Sequence, residues 1–178
     1  MNDSIIARRY AKAFFKLGKE RDTLGNYRND LQKLYSFILQ DENFRFLLNN
    51  PVVTATKKQK IFDKLFKNYL SSEVLFFIKL LIKKRREVYM PDIIRAFNHF
   101  YLQHANIQQV KISSATKFDK ETIDQIKSLL EQATGKSSEI ETIKNTDLIG
   151  GFIIRIDDRQ LDASVKGQLQ SIRKQLLS

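Results

Sequence analysis

Residues 103–115 read QHANIQQVKISSA and separate two patterns of hydrophobic residues. Before this stretch, apolar side chains recur every three or four residues, which is the period of an α-helix with one buried face. From Val110 onward, apolar and polar side chains alternate, which is the period of a β-strand. The change of period predicts an N-terminal helical domain at residues 1–105 and a C-terminal domain with strands at residues 106–178.

The distribution of charge changes at the same place. The 178 residues include 31 Lys and Arg against 20 Asp and Glu, which gives a net charge of +11. Residues 1–105 contribute +10 of this charge and residues 106–178 contribute +1. A basic surface favours an acidic partner, whether nucleic acid, an anionic membrane or an acidic protein. A solvated helical surface without a partner is the alternative.

Composition excludes several classes of protein. The chain has no cysteine, which excludes a disulfide framework, a thiolate zinc site and a cysteine nucleophile. Its longest purely apolar run, Val74–Ile78, is far shorter than the ~20 residues of a transmembrane helix. Residues 1–4 lack the features of a secretory signal, so we expect a soluble chain of the cytosolic type.

Six segments of the first half show helical periodicity, and short loops join them. They run from Asp3 to Lys19, Leu24 to Leu39, Glu42 to Leu48, Thr54 or Thr56 to Phe66, Val74 to Ile82, and Val88 to Tyr101. Polar capping residues and the Asn49-Asn50-Pro51 stop separate them. We therefore predict an all-α six-helix bundle.

The first and fifth of these helices have wider apolar surfaces than one core requires. On a helical wheel, the apolar residues of the first helix cover an arc of about 200°, opposite one narrow strip of cations. That strip consists of Arg8, Arg9, Lys12, Lys16 and Lys19. In the fifth helix, Val74–Ile82, Lys79 is the only polar residue. Such helices either contact a partner as well as their own bundle or lie at its centre.

The second half predicts a small α/β domain with a few strands and two helices, which makes the fold α+β overall. The first predicted elements are a strand around Val110 and Ile112, a helix from Asp119 to Gly135 and a strand at Glu139–Lys144. A third strand follows Gly150-Gly151, and a turn at Asp157-Asp158 leads to a short arm at Gln160-Leu161. The last element is a helix capped by Ser164. The apolar stripe of the last helix is expected to pack inward on the strands. It consists of Val165, Leu169, Ile172 and Leu176.

No pattern in the sequence predicts a catalytic, cofactor-binding or metal-binding site. Residues 133–137, ATGKS, end like a phosphate-binding loop, but Leu130 stands where that motif needs its first glycine. The loop also follows a predicted helix, whereas a phosphate-binding loop follows a strand. His99 and His104 are five residues apart, a spacing that suits no helical metal pair.

Nucleic-acid binding is the main alternative for the basic half. The runs Lys57–Lys60 and Lys83–Arg86 can neutralise phosphates. However, aromatic residues such as Phe62 and Phe76 follow the spacing of a core rather than that of exposed base-stacking platforms. The residues alone therefore favour a two-domain, noncatalytic, basic interaction protein. A basic helical nucleic-acid-binding or adaptor protein is the alternative.

Three motifs follow one another along the chain in an order that is typical of one family. They are ARRYAKAF at residues 7–14, an apolar helix that runs into Arg86 and then Met90-Pro91, and DLIGGF at residues 147–152 followed by LDASVK at residues 161–166. By these motifs, nearly the whole chain resembles the delta subunit of bacterial F-type ATP synthase, called the oligomycin-sensitivity-conferring protein in mitochondria. Ala163 departs from the family pattern, which usually has glycine there.

The resemblance implies a noncatalytic stator subunit of a proton- or sodium-driven rotary ATP synthase, in one copy per complex, without a cofactor or nucleic acid. Its N-terminal domain would bind the N-terminal helix of an alpha subunit, and its C-terminal domain would bind the b subunits of the peripheral stalk. It would also contact other subunits of the catalytic head and hold the head against rotor torque. Its association with the cytoplasmic face of the bacterial membrane would be indirect, through the complex.

The resemblance also implies a set of site residues. In this family a helix of the alpha subunit lies in a groove between the first and fifth helices. The matching positions here are Tyr10, Ala13, Leu17, Phe77, Leu80 and Leu81. Small and apolar side chains suit a groove that accepts an amphipathic helix. The C-terminal motifs add a structural signature of Gly150, Gly151, Asp162 and Ser164.

Overall fold

The structure is a computed structural model that describes residues 2–116, 118–156 and 159–177. Within these ranges it describes all side chains except those of residues 2–4, 171, 172 and 174–177. The backbone divides into two compact units, an N-terminal unit, Met1–Tyr101, and a C-terminal unit, Leu102–Ser178.

Six α-helices form the first part of the described chain. They are α1 (Asn2–Glu20), α2 (Leu24–Gln40), α3 (Glu42–Asn49), α4 (Ala55–Phe66), α5 (Ser72–Lys83) and α6 (Met90–His104), with one 3-10 turn at Glu87–Tyr89 before α6. Together with the mixed sheet described below, they confirm the predicted α+β fold class.

Polar side chains cap the start of two of these helices, α3 and α4, because the first N–H groups of a helix have no carbonyl partner within it. At the start of α3, Asp41 Oδ1 accepts a hydrogen bond from Phe44 N at 3.0 Å. At the start of α4, Thr54 Oγ1 accepts one from Lys57 N at 3.4 Å. Of the two threonines that the sequence offers as a cap for α4, Thr54 is therefore the one used.

Stacked aromatic rings lie at the centre of the N-terminal unit. Phe14 of α1 stacks on Tyr27 of α2 with ring centroids 4.7 Å apart, and on Phe77 of α5 at 4.1 Å. Phe97 of α6 contacts Phe14 at a centroid distance of 5.7 Å. All four rings are buried. These contacts join α1 to three other helices. Buried aromatic side chains contribute strongly to core stability, so the cluster stabilises the arrangement of the four helices.

Lys58 and Glu87 form a buried ion pair in the same unit, at 2% and 6% exposure. Lys58 Nζ donates one hydrogen bond to Glu87 Oε1 at 2.6 Å and another to the carbonyl oxygen of Leu48 at 2.8 Å. Glu87 Oε2 has no hydrogen-bond partner among the described residues. The lysine therefore connects α4 with the end of α3 and with the 3-10 turn before α6.

The described part of the C-terminal unit is a four-stranded mixed sheet with two helices. Its elements are β1 (Ile107–Ser114), α7 (Lys120–Thr134), β2 (Ser137–Lys144), β3 (Gly151–Ile156), β4 (Arg159–Ser164) and α8 (Val165–Leu177), and the strand order is β2-β1-β3-β4. β1 pairs in parallel with β2, and α7 is the crossover that a parallel pair requires. The other two pairings are antiparallel.

The central strand β1 supplies the core of this sheet. Val110 and Ile112 are fully buried, and Lys111 between them is exposed. Ile112 lies opposite Thr142 of β2 and Ile154 of β3. The alternation that predicts this strand from the sequence is thus confirmed.

The last strand is longer than the sequence predicts. β4 pairs with β3 from Arg159 to Ser164, whereas the sequence predicts only a short arm at Gln160-Leu161. Backbone hydrogen bonds to β3 hold this polar segment extended, although its side chains show little apolar alternation. The turn predicted at Asp157-Asp158 lies outside the described residues.

The last helix does not follow its predicted orientation at Leu169. That side chain is 56% exposed, so the prediction that it packs inward on the strands is wrong. The helix begins at Val165, directly after β4, and this short junction limits how α8 can turn its apolar stripe. The side chains of Ile172 and Leu176 lie outside the described set.

Candidate partner-binding site

Helices α1 and α5 are neighbours that run in opposite directions. The Phe14 ring of α1 stacks on Phe77 of α5. Arg21, directly after α1, places Nη1 3.7 Å from Oε1 of Glu73 in the first turn of α5. The end of α1 therefore lies beside the start of α5.

The predicted groove residues of α1 lie on the side that faces α5. Tyr10 and Leu17 are four residues before and three residues after Phe14, so they share its face of the helix. Both are half-buried, and Ala13 beside them is exposed. Ile6, also half-buried, continues the stripe by one turn, which gives an apolar edge about 16 Å long.

The predicted groove residues of α5 divide between surface and core. Leu80 is half-buried, and Phe77 is buried against Phe14. Leu81 is 0% exposed and belongs to the core of the bundle. This position corrects its assignment to the groove surface, since a side chain without exposure cannot touch a partner.

Phe76 is predicted from its spacing to lie in the core, and this prediction is wrong because the side chain is 70% exposed. It lies four residues before Leu80, so the two side chains share one face of α5. Exposed aromatic side chains on a folded surface are frequent partner contacts. The sequence could not identify Phe76, because a helix that is apolar all round has no polar stripe to mark the side facing water.

Three of the signature residues in the C-terminal unit meet where β3 begins and β4 continues into α8. The carbonyl oxygen of Gly150 accepts a hydrogen bond from Val165 N at 3.0 Å. Gly151 lies opposite Ser164 in the antiparallel pair of β3 and β4. The signature thus forms a structural junction between two strands and a helix.

Asp162 completes this junction through Ser164. Its Oδ1 accepts hydrogen bonds from Ser164 N at 2.9 Å and from Ser164 Oγ at 2.6 Å. Ser164 Oγ also accepts one from Gly167 N at 3.0 Å and so caps α8, as the sequence predicts. The bonds from the Ser164 hydroxyl and backbone N–H hold the pKa of Asp162 below its ordinary value of 3.8. The carboxylate is therefore ionised at neutral pH and keeps both bonds.

Exposed apolar side chains lie next to the junction and form a second candidate surface. Leu169 of α8 is exposed, and so is Val165 in the first turn. Ile149, which precedes Gly150, is 72% exposed. Its φ is 64°, a conformation that β-branched residues rarely adopt. Strain at an exposed apolar residue favours a role in binding rather than in packing.

The residues weighed for other chemistry have structural explanations. Gly135 of the ATGKS segment is the left-handed C-cap of α7, with φ 66°. His99 and His104 are exposed. Across the described ranges, no group of three or more His, Asp or Glu residues is placed to hold a metal ion. Nor is any helix of the described chain long and apolar enough to cross a lipid bilayer.

Comparison with known proteins gives full-length matches. The family model described as ATP synthase delta (OSCP) subunit matches residues 6–176. The ATP synthase subunit delta of Carboxydothermus hydrogenoformans is 32% identical over 176 residues, which cover 99% of each chain. That of Heliobacterium modesticaldum is 34% identical over 172 residues, 97% of this chain and 93% of the relative.

A solved structure shows the same fold. A chain in the cryo-EM structure of the Toxoplasma gondii mitochondrial ATP synthase hexamer matches with a TM-score of 0.77. The match covers 97% of both chains at 18% sequence identity. At this identity the likeness concerns the fold alone, and the family assignment rests on the sequence matches. The chain belongs to the ATP synthase delta (OSCP) subunit family.

Proposed function

We propose that this chain is a noncatalytic stator subunit of a proton- or sodium-driven rotary ATP synthase. In this role it joins the catalytic head to the peripheral stalk, so that the head does not turn with the rotor. The observation that carries the proposal is the extent of the family match, which includes both compact units. A linker between two parts of a complex needs a binding unit for each part, and the two compact units of this chain suit that role.

The proposed setting is the cytoplasmic face of a bacterial membrane, with one copy of the chain in each complex. The membrane contact is indirect and passes through the b subunits of the peripheral stalk. The polypeptide itself carries no active site in this proposal, and its contribution is mechanical. Its partners are the alpha subunit, the b subunits and other subunits of the catalytic head.

Purification from the native membrane tests this proposal. A tagged copy of the full chain is expressed in its own organism, and the membrane is extracted with a mild detergent. Recovery of the alpha, beta and b subunits with the tagged chain is the expected result. Recovery of nucleic acid without these subunits would favour the alternative, a basic nucleic-acid-binding protein. Phe62 and Phe66, which are buried, are not available to stack on bases.

We further propose that the edge between α1 and α5 binds the N-terminal helix of an alpha subunit. Tyr10, Ala13 and Leu17 form one wall, and Leu80 of α5 forms the other. The buried pair Phe14 and Phe77 holds the two walls together. An amphipathic helix that lies in such a groove covers apolar side chains that are now partly in water.

Replacing Ala13 by lysine is expected to block this helix without unfolding the bundle. Ala13 is exposed, so the ammonium group reaches water in the free protein. In the complex the ammonium group would face the apolar side of the bound helix, so we expect binding to weaken by at least about tenfold. Titration with a peptide that spans the N-terminal helix of the alpha subunit measures the affinity, and circular dichroism monitors folding. Ala133→Lys, at an exposed position of α7, is the control. Equal affinities for both variants would place the groove elsewhere.

The C-terminal unit is proposed to bind the b subunits through the surface that contains Ile149, Val165 and Leu169. Two of these side chains are on the first turns of α8, and the third precedes the glycine pair beside it. Exposed apolar side chains around a rigid junction suit the docking of an amphipathic helix.

Leu169→Ala is expected to weaken binding of a peptide from the C-terminal end of the b subunits by about tenfold, as truncation of a central contact does. Its effect on the free energy of unfolding should be under about 1 kcal/mol, because the side chain is already exposed. Ile112→Ala, at a fully buried position of the same unit, should instead cost about 2–5 kcal/mol. Hydrogen exchange of the β1 amides in the full chain measures both values. Unchanged peptide binding by the Leu169 variant would remove this surface from the proposal.

A further inference from the structure

The cations of α1 form a strip that has no ion-pair partner among the described side chains. Arg8, Arg9, Lys12, Lys16 and Lys19 are all exposed. No ion pair or hydrogen bond joins any of these five side chains to another described side chain. Like charges on neighbouring turns of a helix repel one another, so the strip lowers the stability of the free helix slightly. A bound acidic partner would relieve that repulsion.

Two of these cations lie beside the proposed groove. At 100° per residue, Arg9 and Lys16 are about 40° and 60° around α1 from Ala13. Arg8 and Lys19 are about 140° and 120° from it, on the other flank of the strip. A helix seated on Ala13 would therefore come close to Arg9 and Lys16 but not to Arg8 and Lys19.

The other charged residues around the groove show how far the positive charge beside it extends. Glu20 lies one turn beyond Lys16 on the same flank and is exposed. Glu73 at the start of α5 is paired with Arg21. At the opposite end of α5, Lys83 is exposed. Because the two helices are antiparallel, the basic section of the groove runs from Lys16 toward the start of α1 and the end of α5.

From this placement we propose that the helix bound in the α1–α5 groove carries acidic side chains along the flank that faces Arg9 and Lys16. The inference rests on the proposed function of the groove and specifies the chemistry of its ligand. Apolar contacts would supply most of the affinity, and the charged flank would fix the orientation of the helix and accelerate its association. Charges at such a rim are partly screened by salt, so affinity should fall as salt concentration rises.

The sequence of the partner offers the first check. The alpha subunit encoded by the same genome should have an amphipathic N-terminal helix with carboxylates on one side of its apolar stripe, spaced three or four residues apart. An N-terminal helix without such carboxylates would overturn the inference at once.

A matched pair of charge reversals in the full chain provides the direct test. The test variant is Arg9→Glu/Lys16→Glu and the control is Arg8→Glu/Lys19→Glu, so both change one arginine and one lysine and alter the net charge equally. The probe is a synthetic peptide with the sequence of the alpha N-terminal helix, titrated at about 0.15 M salt. We expect the test variant to bind it about tenfold more weakly and the control to bind it within about threefold of the unaltered chain.

A reversed peptide, in which lysines replace the flank carboxylates, completes the experiment. It should bind the test variant better than it binds the unaltered chain. Equal loss of affinity in the test and control variants would overturn the inference, because it would indicate a diffuse field rather than a defined flank. Binding that Ala13→Lys blocks but Arg9→Glu/Lys16→Glu leaves unchanged would overturn this inference alone. A peptide that does not bind the unaltered chain would overturn the proposed groove as well.

Discussion

Gly151→Ala is expected to unfold the C-terminal unit or to lower its free energy of unfolding by more than about 3 kcal/mol. Gly151 has φ 74°, a conformation that an alanine adopts only with strain. A Cβ atom at this position would also meet the backbone of β4, at the carbonyl oxygen of Ala163 and 2.9 Å from Ser164 Cα. Neither atom can move without breaking the pairing of β3 and β4. The strain and the clash therefore add.

Gly135→Ala is the matched control for Gly151→Ala. Gly135 also has positive φ, at 66°, but no atom lies within 4 Å of the position of an added Cβ. Only the conformational cost of about 1 kcal/mol applies there. Hydrogen exchange of the sheet amides in the full chain measures both variants. Similar losses of stability in the two variants would show that the contact with β4 is not the reason why position 151 requires glycine.

Lys58→Met is expected to destabilise the N-terminal unit by about 3–5 kcal/mol, because it leaves the Glu87 carboxylate buried without a counter-charge. The carboxylate already has one oxygen without a hydrogen-bond partner among the described residues. The substitution also removes the hydrogen bond to Leu48 O that connects α4 with the end of α3. A loss of this size is a large part of the stability of an ordinary domain.

Two further variants test whether the loss of stability comes from the unpaired charge of Glu87. Lys57→Met changes an exposed neighbour and should alter the free energy of unfolding by less than about 0.5 kcal/mol. The double variant Lys58→Met/Glu87→Leu removes both charges and should recover most of the loss, since apolar replacements of a buried pair are often neutral. Denaturant unfolding followed by helical circular dichroism measures all three. If the double variant is as unstable as Lys58→Met, the ion pair itself stabilises the bundle.

The number and type of most elements could be predicted because their signals are local. The side chain of Asp119 caps the start of α7, and Gly135 ends the helix in a left-handed conformation. Both signals depend on residues a few positions apart. The strand at Val110 and Ile112 follows from alternation within one short segment. The full length of β4 could not be predicted, because its order comes from hydrogen bonds to β3 rather than from its own side chains.

On α1, the exposure of the proposed groove residues agrees with the sequence pattern. The wide apolar arc of α1 indicates surface beyond the needs of one core, and Tyr10, Ala13 and Leu17 retain partial or full exposure. The α5 half was less predictable. Phe76 and Leu81 have similar apolar neighbours in the sequence, yet one is largely exposed and the other is fully buried.

The sequence by itself determined the α+β fold class, the caps of several helices and, through its motifs, the family. These properties depend on periodicity and on residues that are close along the chain. Only the tertiary structure decided which sides of α5 and α8 meet water, that Lys58 is buried against Glu87, and that β4 completes the sheet. Those outcomes depend on where other helices and strands lie, and a nearly uniform apolar helix contains no information about the direction of its neighbours.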